Sequence, residues 1–159
     1  VKLGLALREV HRSELRLARL LDAIAARHHS DHGIHHVATD LAVWSREHVA
    51  LTAQAGRRYG VRLRERPRTA ALTEPVQAWL SDRLARRPEP GLLLLADLRR
   101  LHRVAAGVSL DWELIAQGAQ ALKDQELIEL TQRCHPQSLR QMRWANAMLK
   151  ELSAQALTS

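Results

Sequence analysis

Residues 92–122 read LLLLADLRRLHRVAAGVSLDWELIAQGAQAL. Leu94, Leu98, Leu101, Ala105, Val108, Trp112, Ile115, Ala119 and Leu122 recur at spacings of three and four, which sets them along one side of a helix. No proline breaks the stretch, and Lys123-Asp124 makes a tight turn at its end. A helix this long with one apolar side must bury that side against other elements.

The neighbouring sequence supplies three partners of the same kind. A first helix is predicted over residues 2–29, with its seam at Leu3, Leu7, Val10, Leu17, Leu21 and Ile24. A second spans 31–59, with Ile34, Val37, Leu41, Trp44, Leu51 and Ala55 on its seam, Ser30 and Asp31 as N-cap candidates and Gly60 as its stop. A fourth follows the Lys123-Asp124 turn over 124–156, carrying Leu127, Leu130, Cys134, Ala145, Leu149 and Leu152. Pro136 inside it is expected to kink or interrupt the first part. The 159 residues suffice for one domain, 1–159. Phe is absent and Tyr occurs once, so the chain is poor in the residues that build a β-sandwich or barrel.

Between the two helix pairs, residues 60–90 lose the period and gain breakers: Gly60, Pro67, Pro75, Pro88 and Pro90. Within them, Val76, Trp79, Leu80 and Leu84 predict a short amphipathic helix over 75–86, with Thr73 as its N-cap. Two helix pairs with short turns, joined by a long crossover, make an all-α antiparallel four-helix bundle of the one-crossover kind. Trp79, Leu80 and Leu84 must cover either the bundle or a second copy of the chain, and a homodimer is expected.

The net charge is +7, and it concentrates in Arg57, Arg58, Arg62, Arg64, Arg66 and Arg68, opposed only by Glu65. Such a run makes non-specific contact with polyanions. Without interleaved aromatics or zinc-finger spacing, it reads as a solvated basic loop rather than a dedicated nucleic-acid site. The longest apolar run, Leu92 to Ala96, is too short to cross a bilayer, so no membrane partner is expected. Cys134 is the lone cysteine, and the first residues, starting at Val1, carry too short an apolar run for a signal peptide; a cytoplasmic location is expected. Ser-centred elbows, phosphate loops and glycine-rich cofactor fingerprints are missing, so the sequence names no particular small-molecule ligand and leaves that ligand unknown. His28, His29, His32, His35 and His36 crowd the first turn; their i, i+4 pairs can chelate a divalent ion, but a solvated helix end is the preferred reading.

Polar residues interrupt the apolar seams near mid-helix. Glu14 falls between Val10 and Leu17, His48 between Trp44 and Leu51, Asp111 beside Val108 and Ile115, and Ser138 and Gln141 between Cys134 and Ala145. Midpoints of paired helices share one level, so these side chains are expected to form one polar layer. A buried carboxylate there needs a partner or a cation.

The chain resembles the ferritin-like superfamily, above all its small bacterial domains, on four stretches: VHRSELRLA at 10–18, SREHV at 45–49, SLDW at 109–112 and SLRQ at 138–141. The resemblance implies a bundle whose active members hold two irons with a Glu from each of two helices and a Glu-x-x-His from each of the other two. It matches Glu14 and His48 to ligands and sets Asp111 where a Glu would stand. Ser45, Ser138 and Gln141 occupy positions where ligands are lost. It therefore implies a domain without di-iron chemistry, a non-catalytic binding or structural module rather than an enzyme, with no cofactor. The alternative is a reduced single-metal site of Glu14, His48 and Asp111 that holds iron, manganese or zinc for oxidation or storage. A metal-free network, with His48 paired to a carboxylate and Ser45, Ser138 and Gln141 filling the other hydrogen bonds, is preferred.

Overall fold

The computed structural model describes residues 2–68 and 89–159, and among these the chain is all helical, with four helices and no strand. They are α1 (Leu3–Arg27), α2 (His32–Arg58), α3 (Pro90–Leu122) and α4 (Gln125–Thr158). The expected helix over 75–86, with Trp79, Leu80 and Leu84, lies outside the described residues.

Local chemistry explains the helix ends. Asp31 caps α2 by accepting from the Ile34 N–H at 3.1 Å, and Asp124 caps α4 by accepting from the Leu127 N–H at 3.2 Å. Pro90 opens α3 in the first turn, where its missing N–H costs no hydrogen bond, so the helix begins two residues before the expected Leu92. Lys123 closes α3 in the left-handed region at φ 54°, and Gly60 turns the chain after α2 at φ 70°. Pro136 does not interrupt α4. It is exposed, and the Gln132 carbonyl it leaves without an intrahelical partner is likewise on an exposed residue.

α1 packs extensively on α2 and α3, and α3 on α4, while α2 and α4 approach closely at few points. The centre is aliphatic: Leu7, Leu17, Leu21 and Ile24 of α1 meet Leu98, Leu101 and Ile115 of α3, all fully buried. Each such side chain stabilises the fold by roughly 1.5–3 kcal/mol. The seams of α1 and α3 lie where the periodicity puts them, except that Leu122 at the end of α3 is exposed. On α2 the buried stripe is rotated toward small residues: Ala38, Ala42 and Ala53 are in the core, whereas Val37, Trp44 and Leu51 are only partly covered. After α2 the chain returns over α1, where a Cβ on Gly4 would stand 2.8 Å from Val61 Cγ2 and 3.3 Å from the Tyr59 carbonyl. His11 holds this return by bonding the Arg64 carbonyl at 2.7 Å.

Polar side chains tie the helix ends. Asp97 near the start of α3 accepts from Arg27 at 2.9 and 3.0 Å and from His28 at 2.8 Å. Arg58 and Tyr59 at the end of α2 both donate to Asp124 before α4. These bonds draw the Asp124 carboxyl below its ordinary range, with Arg58 the larger cause; burial first, and then the bond to Asp124, push the Tyr59 hydroxyl up.

Candidate functional site

Midway along the helices, one fully buried carboxylate gathers donors from two sides. Glu14 Oε1 on α1 accepts from His48 Nδ1 on α2 at 2.8 Å and from the indole N–H of Trp112 on α3 at 2.8 Å. The far side of the imidazole continues the chain, with Nε2 against Gln137 Oε1 on α4 at 2.5 Å. Trp112–Glu14–His48–Gln137 thus crosses all four helices. The indole edge also meets the His48 ring face to edge, with centroids 6.1 Å apart.

The partners decide the protonation of His48. With the Gln137 amide oxygen turned to the ring, a carboxylate on one side and an amide oxygen on the other both accept, and a protonated ring satisfies both. His48 is accordingly pushed up to about 10. Burial works against the charge, but the Cys134 thiol and the Glu14 carboxylate beside the ring outweigh it. Glu14 and His48 therefore make a fully buried pair, an ion pair whenever the ring is protonated. Glu14 Oε2 has no hydrogen-bond partner among the described residues.

The other expected members of the layer make no direct hydrogen bond to this pair. Gln141 Nε2 donates to Ser45 Oγ at 2.8 Å and to the Leu41 carbonyl at 2.9 Å, so two of the positions matched to lost ligands bond each other. Its Oε1 is buried without a partner among the described residues. Ser138 turns back on its own helix and donates to the His135 carbonyl at 2.8 Å. Asp111, half-buried at the edge of α3, accepts from Ser13 and makes no hydrogen bond to Glu14 or His48. Its place next to Glu14 is taken by the neighbouring Trp112, about 100° further round the helix.

Sequence reasoning passed over Trp112 and Gln137. Trp112 looked like an apolar seam residue, although a buried indole N–H calls for an acceptor. Gln137 sits beside Ser138, the position the resemblance pointed to, and only the helix rotation shows which of the two reaches His48. Cys134 fills the core as its type suggests.

A ferritin-type metal pair does not fit this donor set. The layer offers one carboxylate, and both nitrogens of its one imidazole are already engaged, by Glu14 and by Gln137. Among the described residues, no group of three or more His, Cys, Asp and Glu side chains is arranged to hold an ion.

The histidines of the first turn divide. His28 is buried against Asp97 and His35 Nδ1 donates to the Ala25 carbonyl at 2.8 Å, which corrects the reading of all five as a solvated end; His29, His32 and His36 are exposed. In the basic run, Arg57 pairs with Glu65 and Arg58 with Asp124 and Glu126, which leaves the exposed Arg62, Arg64, Arg66 and Arg68. No helix among the described residues is long and apolar enough to cross a membrane. In comparisons with protein-family models, curated proteins and solved structures, nothing matches this chain.

Proposed function

We propose that this chain is a ferritin-like bundle in which a buried Glu14–His48 ion pair stands where active members hold two irons. It serves as a non-catalytic binding or structural module, assembled as a homodimer. The arrangement it requires, antiparallel neighbours with a crossover between the second and third helices, is supported by the ties between opposite ends. Gly118 lies against Leu3, Asp97 against Arg27, and Asp124 against Tyr59. Leu110 and Leu114, about two-thirds exposed and one turn apart on α3, offer apolar surface to a second copy. The lone buried thiol suits a reducing cytoplasm.

What carries the proposal is the imidazole of His48, whose two nitrogens are both taken by protein partners, Glu14 and Gln137, which leaves neither facing an open coordination position. A buried cation is the protein's own substitute for the metal charge: it neutralises Glu14 without any ion. The unpartnered Glu14 Oε2 is the one observation that favours the second reading, a single iron, manganese or zinc ion held by Glu14 with His48 and Asp111. Metal analysis of protein purified without a histidine tag, followed by anaerobic ferrous titration and oxygen addition, separates the two. The proposal expects no stoichiometric metal and no fast oxidation. One tightly held equivalent supports the single-metal reading, and two equivalents with rapid oxidation overturn the lost-site assignment.

A further inference from the structure

On the outer side of α1 and α3, away from the buried pair, runs a cavity of about 360 Å³ whose rim carries Arg12, Arg16, Arg19, Arg27 and Arg100. Arg12, Arg16 and Arg19 follow one another at i, i+4 and i+7, so their side chains stand on one stripe of α1. Like charges at this spacing work against the helix that carries them. The two ends of the stripe are neutralised: Glu9 holds Arg12 at 3.0 Å and Asp97 holds Arg27 at 2.9 Å. The middle is not. Among the described residues, Arg16, Arg19 and Arg100 have no hydrogen-bond or ion-pair partner; Arg100 projects from α3 between its two links to α1, Asp97 and Trp112. The floor is a narrow aliphatic strip of Leu15, Leu20, Ala23 and Val104.

We infer that this groove binds a small elongated phosphate-rich anion, of the oligophosphate kind, through Arg16, Arg19 and Arg100. Its volume is in the range of small-molecule sites, which run from about 300 to 1,000 Å³. Planar guanidinium groups match phosphate oxygens two at a time, and three of them along a groove favour a ligand with several phosphates over a lone sulfate-like ion. No aromatic side chain lines the cavity, so a base would find nothing to stack on. The inference is independent of the Glu14–His48 reading and concerns different residues from the basic run after α2.

Calorimetric titration of the full chain with inorganic tripolyphosphate tests it, with ATP and sulfate as parallel titrants. One saturable site per chain is expected, weaker at about 0.3 M salt than at low salt. Arg16→Ala, Arg19→Ala and Arg100→Ala should each weaken binding about tenfold or more, whereas the double variant Arg62→Ala/Arg66→Ala should change it by less than about twofold. These arginines are exposed, and circular dichroism checks that each variant keeps its helices. Equal affinity for ATP and tripolyphosphate supports recognition of the phosphates alone, and tighter ATP binding supports a nucleotide as their source. Absence of saturable binding, sulfate binding as tightly as tripolyphosphate, or equal loss in the Arg62/Arg66 variant would overturn the inference.

Discussion

Replacing Glu14 by Gln keeps the size of the side chain and both of its hydrogen bonds, to Trp112 and His48, and removes only the negative charge. His48 then loses the carboxylate that, with Cys134, holds it charged against burial, and its hold on the proton weakens. Its Nε2 lone pair faces Gln137 Oε1 until that amide turns over. The gap between 6.5 and about 10 for His48, at roughly 1.4 kcal/mol per pH unit, bounds the stabilisation at about 5 kcal/mol. Retained hydrogen bonds bring the expected loss in Glu14→Gln nearer to about 3 kcal/mol, or about 6–12 °C in Tm for a chain of this size. The pH dependence is more diagnostic than the size. A raised histidine stabilises fully below about 6.5, where the unfolded ring is also protonated, and loses that contribution as pH rises toward about 10. Urea unfolding followed by circular dichroism from pH 6 to 10.5 should therefore show the native chain converging on Glu14→Gln by up to about 1.4 kcal/mol per pH unit, with most of the difference gone by about pH 10. Tyrosine and lysine titrations are common to both chains and drop out of the difference. A difference that stays flat over this range, or ¹⁵N ring shifts that show His48 neutral at pH 7.5, would refute the ion pair.

Three further outcomes are expected. Asp97→Ala strips the partner from Arg27 and from the buried His28 and should cost about 2–4 kcal/mol in denaturant unfolding; a loss below about 0.5 kcal/mol would contradict the tie between α1 and α3. Gly4→Val drives new atoms into Val61 and the Tyr59 carbonyl and should destabilise by about 1–3 kcal/mol, with faster proteolysis of residues 61–68; an unchanged urea midpoint would contradict the close approach. Lys123→Gly relieves the left-handed backbone at φ 54° and should stabilise by about 0.5–1 kcal/mol, whereas a lowered Tm in differential scanning calorimetry would contradict that conformation.

Four helices with ends within two residues of the structure were legible in the chain from the apolar period of α1 and α3, the Asp31 cap, the Gly60 stop and the Lys123-Asp124 turn; Pro90, read as a breaker, instead starts α3, and Asp124 caps α4. On α2 large residues misled: Trp44 and Leu51 drew the seam, whereas the small Ala38, Ala42 and Ala53 are the ones buried. Pro136 shows the same limit, since whether a missing N–H breaks a helix depends on where the freed carbonyl faces.

The residues of the chain determined that Glu14 and His48 interrupt apolar stripes at mid-helix, and that an acid and an imidazole buried there need partners. Only the tertiary structure decided which partners they have. The rotation of α3 by one position presents Trp112 rather than Asp111 to Glu14, and that of α4 presents Gln137 rather than Ser138 to His48. Side-chain spacing places a residue on a helix face to within a turn, but a hydrogen bond is satisfied or lost over less than an ångström. That last ångström is set by how all four helices pack, which no single stretch of sequence records.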